Sequence, residues 1–565
     1  FADFQRIYGG LEDLTFEGQP ARTNYLAYGV RSFFEEGGQR CYVARVFTAI
    51  GGDDSDTGVA ASPSGNAPTI RARYPGAAGN MRVTLRAVPT RAVASNENER
   101  LTGMNLGESV FAIPGDTSDV PSVNFFDYIL DGEGDPALVN DEDDETVKVA
   151  DLASTDSVFP LRVRVFTQRR IQRPGGGVEF GPEVELGEFN LRPGTPQALV
   201  DALSADNPSG DPLMTPIAVD PLTDDSDDPQ TTGTAYATAL FGGDLGDSDT
   251  EESPGDLDDV VIALADGNDG AEPSSYETDV TGPLPPEDPE GFDALEDLDD
   301  VSIVAAPGYT ALANESARQS VQGELIGHCE KMKYRIAVLD TPEDQEVRNA
   351  RDWRGQVDSK YAALYYPWIT ILDPVSRTTL NLPPSGFVAG IYARNDVQNG
   401  VQKAPANEVV RSAIDFEKRI NKAQQEVLNP EGVNCFRFFE GRGYRLWGAR
   451  MATSDAEFKY VNIRRYLAYL ERSVDEGTQV FVFESNGSDL WRNVTRTITS
   501  FLLNEWRSNR LMGTTPEQAF FVRCDRSTMT QNDIDNGRLI CEIGVALLRP
   551  AEFVIFRIGQ KLLDA

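Results

Sequence analysis

Residues 301–339 read VSIVAAPGYTALANESARQSVQGELIGHCEKMKYRIAVL, and this run decides the fold class. Residues 301–306 are a short apolar run of strand length. Residues 313–331 follow with helical spacing (Val321, Leu325, Cys329), and residues 334–339 are a second apolar run. A strand, a helix and a strand in that order make a β-α-β unit, whose strands are expected to run parallel because the helix carries the chain back to its starting end. Outward from this unit the alternation continues. Residues 361–372 read as a strand closed by Asp373-Pro374, and residues 408–428 as a helix with Asn407 as N-cap and Asn429-Pro430 as its stop. Tyr460, Ile463, Leu467, Leu470 and Val474 recur at spacings of three and four, and Gly477 is expected just past that helix's end. Residues 479–483 read as a strand. Ser488 is then expected to cap a helix with Trp491, Val494, Ile498, Phe501 and Trp506 on one side. Strands over 519–524, 538–547 and 553–558 close the chain. The last of these, Phe553, Val554, Ile555, Phe556, Arg557 and Ile558, is apolar on both faces. It reads either as a central strand of its own sheet or as a strand that adds to the sheet edge of a neighbouring subunit.

Charge divides the chain. The 565 residues carry 51 Lys+Arg against 90 Asp+Glu, a net charge of −39. Residues 201–300 hold 29 acids and no Lys or Arg, whereas residues 361–565 hold 23 acids and 25 bases. A segment so densely charged with one sign must face water; the balanced region tolerates close protein contact. The overall balance excludes electrostatically driven binding to nucleic acid or anionic lipid. No run approaches the roughly 18 uncharged apolar residues of a membrane-spanning helix, and no signal peptide is visible. The chain opens at Phe1 and not at Met, which leaves a leader or N-terminal arm open. Only nine of the basic residues are Lys. Acid excess with scarce Lys fits a protein soluble in near-molar salt, where screening shortens to about 3 Å. The middle region, rich in Asp, Gly, Pro and Ser, reads as mainly β with long loops, notably at 220–228 and 244–259, and PGGGVEFG at 174–181 as a hairpin turn.

The chemistry-bearing residues are few. Five cysteines (Cys41, Cys329, Cys435, Cys524, Cys541) are widely spaced without a C-x-x-C, which favours reduced thiols over a disulfide framework or a zinc site. The single histidine, His328, falls within a helical pattern and has no triad context. There is no phosphate-binding loop. No catalytic, cofactor-binding or metal residue is assigned. A carboxylate pair acting on a polysaccharide remains open, since 90 acids make any pair uninformative. A surface structural protein such as an adhesin is a further alternative.

Four stretches carry a family resemblance. They are YGVRSFFEEGGQRCYVARVF (28–47), RYPGAAGNMRVTL (73–85), residues 360–407 with YYPW, PPSG, AGIYARND and KAPAN, and residues 428–558 with LNPEGVN, WGAR, YVNIRRY and PAEFVIFRI. In this order they resemble the sheath proteins of contractile tails, both phage tails and the related contractile injection systems. The residues that carry the likeness include Tyr365, Pro367, Trp368, Pro383, Pro384, Gly386, Trp447, Gly448, Arg450, Arg464 and Arg465. Their Pro and Gly also fix turns in any fold. Trp368, Trp447, Trp491 and Trp506 read as core anchors ahead of contact hot spots. Arg464 and Arg465 read as a solvated or intrachain-paired face, with carboxylates of a next subunit as the other reading.

The resemblance implies an α/β (α+β) multi-domain subunit. Residues 1–85 are the N-terminal part of the core and the start of an inserted region. Residues 86–300 form acidic, mainly-β outer domains, 301–407 an α/β domain, and 408–565 a C-terminal core domain with a terminal interchain strand. It further implies copies of the chain stacked in rings, usually of six, around an inner tube. Baseplate and terminal cap proteins are further partners, with no cofactor, no nucleic acid and no membrane insertion. Contraction would move largely rigid subunits linked by shared strands, driven by new intersubunit contacts. The expected setting is a virion tail or phage-like particle assembled in the cytoplasm of a salt-loving host. The helix from Trp491 to Trp506 is the candidate tube-facing element, with Arg492, Arg496 and Glu505 on its polar side.

Overall fold

A computed structural model describes residues 1–50, 58–62, 68–93, 100–113, 125–140, 145–153, 156–172, 178–204, 215–223, 230–241, 254, 257–277 and 290–552. The expected interchain strand Phe553–Ile558 lies outside the described residues, as do most of the loops expected at 220–228 and 244–259. The chain forms two compact units. One comprises Phe1–Ala27 and Phe47–Glu272, the other Tyr28–Val46 and Pro273–Ala565. The stretch from Tyr28 to Val46 thus belongs with the C-terminal part. From sequence, the first unit holds 46 acids against 15 bases and the second 44 against 36.

The first unit is mainly antiparallel sheet. One sheet has four strands in the order Val184–Asn190, Arg162–Gln168, Arg82–Ala87, Val260–Ala263. Another has five, in the order Glu145–Lys148, Pro136–Asn140, Phe125–Leu130, Ser109–Ile113, Ser157–Pro160. Arg170–Gln172 pairs with Val178–Phe180 as the hairpin expected around PGGGVEFG. Val83, Leu85, Val163, Val165 and Phe111 lie in one apolar core, and Phe126, Tyr128 and Leu138 in a second. Alternate strand residues supply these faces, as period-two burial requires.

The second unit is built on a six-stranded mixed sheet. Its order is Ile303–Ala305, Ile336–Asp340, Ala362–Tyr366, Val433–Phe439, Gly443–Leu446, Glu408–Val409. The first four strands are parallel, with Val304 opposite Ala337, Val338 opposite Ala363 and Leu364 opposite Val433. The central strands Ile336–Asp340 and Ala362–Tyr366 are buried at every residue, as a parallel strand covered on both faces must be. The crossover helix Glu315–Met332 is capped by Asn314, whose side chain accepts the Ser316 N–H, and it buries Val321, Leu325 and Cys329.

Several local expectations fail for identifiable reasons. Residues 361–372 are not one strand. Pro367 has no N–H to continue the ladder, so the chain leaves the main sheet there. Ile369–Leu372 instead joins a three-stranded sheet with Thr379–Leu382 and Asp415–Phe416. Residues 408–428 are not one helix either: Glu408–Val409 and Asp415–Phe416 are short strands, and only Lys422–Leu428 is helical. Its N-cap is Asn421, in a capping box with Gln424, while Asn407 sits at φ 62°. Residues 479–481 form a 3-10 turn after the helix Val461–Thr478, which contains Gly477. The helix Ser488–Arg507 begins at Ser488, with Gly487 and not Ser488 at the cap position.

Asp340 ends the central strand with no exposed surface. Its two oxygens accept the backbone N–H of Ser385 at 2.7 Å and the Ser385 hydroxyl at 2.6 Å. Ser385 begins the helix Ser385–Asn399, so Asp340 ties the sheet to that helix. Burial outweighs these two bonds and pushes its carboxyl up to about 7. The folded state therefore holds this proton more tightly than the unfolded chain does. Its share of stability is full below about pH 4 and declines as pH rises through the folded value near 7. Asp340→Asn should flatten that decline, on the order of 4 kcal/mol across the interval, in urea unfolding followed between pH 5 and 8. An unchanged slope would show that Asp340 does not titrate there.

Candidate functional site

The residues that carry the sequence resemblance converge on the second unit's packing. Tyr365 and Trp368 have no exposed surface. The Trp368 indole N–H donates to the Thr341 carbonyl at 2.7 Å, and Tyr365 packs edge-on against Tyr392. Pro383 and Pro384 are buried ahead of the helix Ser385–Asn399. Gly386 touches backbone, since a Cβ there would lie 2.6 Å from the Gly29 Cα. Two turns on, Arg394 Nη1 donates to Glu36 Oε2 at 2.7 Å, and Glu36 also accepts the Arg411 N–H at 2.6 Å. Tyr28 OH donates to Asp373 at 2.6 Å. The stretch 28–47 is thus seated against the segment AGIYARND by a buried ion pair that sequence reasoning missed. Its signal was a charge of each sign inside otherwise apolar helical runs.

Arg464 and Arg465 are buried and paired within the chain. Arg464 Nη2 meets Glu471 at 2.7 Å, and its guanidinium lies over the ring of Tyr361. Arg465 Nη1 meets Asp396 at 3.0 Å and stacks over Tyr392. Of the tryptophans, Trp368 and Trp491 are buried and Trp447 and Trp506 half-buried. Arg492 and Arg496 are exposed on the helix Ser488–Arg507, with Arg492 paired to Asp489. Glu505 does not share that polar side. It is 5% exposed, accepts the Tyr466 hydroxyl at 2.8 Å and meets Arg510 at 3.0 Å. The helix turns it toward Tyr466 of the neighbouring helix Val461–Thr478, and Arg510, just beyond its own helix, supplies the second donor.

His328 is buried and held neutral. Arg335 donates to its Nε2 at 2.7 Å, and burial together with that cation pushes its pKa down to about 4. In the first unit Asp131, Glu133 and Asp135 converge, but Lys148 Nζ stands among them at 3.4, 2.5 and 2.9 Å. The protein's own ammonium thus offsets one of the three charges and occupies the space between them.

Two features concern the chain's C-terminal end. The first is an anchor at Glu552, the last described residue. Arg450 of the WGAR segment grips it with Nε at 2.8 Å and with Nη2. Tyr460 OH donates to it at 3.2 Å and Asn429 Nδ2 at 3.4 Å. Burial alone would raise the Glu552 carboxyl, but the Arg450 guanidinium holds it below the usual range. Glu552 immediately precedes Phe553. The second is a two-stranded ribbon, Phe520–Arg523 with Glu542–Val545. It rests on the helix Ser488–Arg507 through a core with Trp491, Val494 and Leu502. A two-stranded ribbon is marginal alone, and among the described residues no third strand joins it. Phe521 is 54% exposed on it.

Comparisons with known proteins agree with the two stretches that lie after residue 300. Residues 288–452 match the phage tail sheath protein central domain, and residues 453–561 the phage tail sheath C-terminal domain. The chain is 22% identical over 262 residues to a putative prophage major tail sheath protein of Pseudomonas aeruginosa (strain UCBPP-PA14), covering 45% of this chain and 64% of that protein. It is 25% identical over 238 residues to the tail sheath protein of Enterobacteria phage T4, covering 39% and 35%. The matches therefore span less than two thirds of these curated relatives. Among solved structures, the contracted helical sheath of the anti-feeding prophage is 33% identical, covering 48% of this chain and 72% of that chain at a TM-score of 0.42.

Arg450→Ala should strand the half-buried Glu552 carboxylate and cost about 3 kcal/mol in denaturant unfolding at pH 7. Because the folded pKa of Glu552 is lowered, this contribution is present above about pH 4.3 and fades as pH falls through the lowered value. The wild type and the variant should thus converge in acid. A constant gap between them down to pH 2 would refute the clamp.

Proposed function

The chain belongs to the contractile tail sheath family, and we propose that it is a structural subunit that polymerises around an inner tube and shortens to drive that tube through a target envelope. The observation that carries the reading is the Arg450–Glu552 clamp at the root of an apolar terminal segment. Rigid anchoring of the root suits a tether: Phe553–Ile558 adds as a strand to a neighbouring copy, and the clamp fixes where it departs. The ribbon, which no third strand joins among the described residues, suits the receiving side. Stacked rings of six, a baseplate and a terminal cap complete the assembly. The work comes from differences in intersubunit contact between two lattice states, with no nucleotide consumed. The region 86–300 forms the acidic outer decoration. In this role the chain has no turnover, unlike a polysaccharide hydrolase.

The setting is a virion tail or phage-like injection particle assembled in host cytoplasm. The acid excess and scarce Lys support a salt-loving host, because self-repulsion of the acidic region opposes compaction until salt screens it. Arg492 and Arg496 on the helix Ser488–Arg507 are proposed to face the tube, without Glu505.

Electron microscopy of the protein in molar salt should reveal hollow striated tubes, and featureless monomers would sink the reading. Deleting residues 553–558 should abolish the tubes while leaving the far-ultraviolet circular dichroism of the monomer intact. Dialysis to low salt should reduce particle number; equal counts at both salt levels would contradict the electrostatic part. Replacing Arg492 and Arg496 by Ser should weaken tube attachment without loss of helix content, and unchanged attachment would remove that assignment.

A further inference from the structure

Two of the five thiols, isolated in sequence, face each other across the C-terminal ribbon. Phe520 stands opposite Val545 and Arg523 opposite Glu542. The backbone N–H of Ala546 donates to the Ala519 carbonyl at 2.8 Å, so Ala519 and Ala546 are a hydrogen-bonded pair of the antiparallel ladder. The two kinds of pair alternate. Phe520–Val545 is then non-hydrogen-bonded, Phe521–Gly544 bonded, Val522–Ile543 non-hydrogen-bonded and Arg523–Glu542 bonded. Both cysteines lie one residue beyond the paired strands, where continuing this register sets Cys524 opposite Cys541 as a non-hydrogen-bonded pair. That is where opposed Cα atoms come closest, about 4.5 Å, within the roughly 4.4–6.8 Å that a disulfide spans. Each thiol also shifts the other's pKa, as neighbouring groups do. Both are free; Cys524 is buried and Cys541 half-buried.

We propose that Cys524 and Cys541 form a reversible cross-strand disulfide by exchange with a low-molecular-weight disulfide, stapling the ribbon at its loop end. The half-buried Cys541 thiolate attacks one sulfur of the small disulfide and expels one small thiolate. The Cys524 thiolate then attacks the Cys541 sulfur of the mixed disulfide and expels the second. Two protein thiols are oxidised by two electrons, and the reagent is reduced to two thiols that take up the two protons. The bond closes the loop over residues 525–540, which removes freedom from the opened ribbon more than from the folded one. The pair stays open in a reducing compartment and closes in an oxidising one. None of this depends on the sheath reading.

Burial and the neighbouring thiol raise the Cys541 pKa to about 12, and burial raises that of Cys524. Exchange is therefore slow near neutrality and quickens about tenfold per pH unit as thiolate accumulates. The test uses the full chain carrying Cys41→Ser, which removes the exposed thiol, treated with hydroxyethyl disulfide at pH 7 and pH 8. The free-thiol titre in denaturant should fall from four to two, about tenfold faster at pH 8. Digestion should yield one peptide pair linked through 524 and 541 that separates on reduction. The further variant Cys541→Ser should give no linked pair. An unchanged titre, or stable mixed adducts on Cys524 or Cys541 without a link, would overturn the proposal. The titre and the peptide map read the covalent state of the two thiols directly, so they keep their meaning even for a chain that forms no tubes.

Discussion

The Glu36 carboxylate has no exposed surface, and the second unit depends on how that charge is accommodated. A lone buried carboxylate would cost several kcal/mol. Here Arg394 donates to both its carboxylate and its backbone carbonyl, and the Arg411 N–H adds a third bond. Burial still leaves the carboxyl above its ordinary range, so the arrangement is costly and is kept by geometry. Such a pair is tolerated only if the helices that carry it, Tyr25–Glu36 and Ser385–Asn399, are held at one spacing and one rotation. The glycine contact between Gly29 and Gly386 provides the close approach. A slip of one residue along either helix would expose the pair to a mismatch in charge as well as in packing. The pair thus specifies which segment from the start of the chain docks on the C-terminal part, more than it adds net stability.

The sequence was most legible where periodicity has a single solution. The unit at 301–339 has that property, because an apolar run, a helical run and another apolar run leave one topology, and the registers agree with it. It was least legible where one residue redirects the chain. Pro367 divides what hydropathy joins. Residues 408–428 have apolar spacing that suits a helix, yet their backbone groups pair with Gly443–Leu446 and Ile369–Leu372, partners invisible to a local window. Tertiary pairing overrides propensity at such places.

Glu505 was misread for a related reason. It looks like a surface group in a single-chain pattern, because burial of charge is rare unless it is paired. The intrachain pairing expected of Arg464 and Arg465 is present, whereas the Tyr466 hydroxyl from which Glu505 accepts lies 39 residues away. The same holds for Cys524 and Cys541, whose opposition is fixed by strand register and not by spacing. What could be read was residue type and order, and for the family-bearing segments that sufficed.

The uneven charge has a mechanical consequence. The first unit carries a net −31 and the second −8, from their acids and bases. In the second unit many charges are already consumed internally, as with Arg394, Arg450, Arg464 and Arg465. If copies of the chain associate through the second unit, the attraction there would come mainly from strand edges and apolar surface, which salt weakens little and excluded salts strengthen. Repulsion between such copies, by contrast, would reside mainly in the first unit and decay within a few ångströms at molar salt. Raising ionic strength therefore removes the opposing term while leaving the cohesive one intact. A lattice of such subunits would be held together by backbone pairing and tuned by the ionic medium.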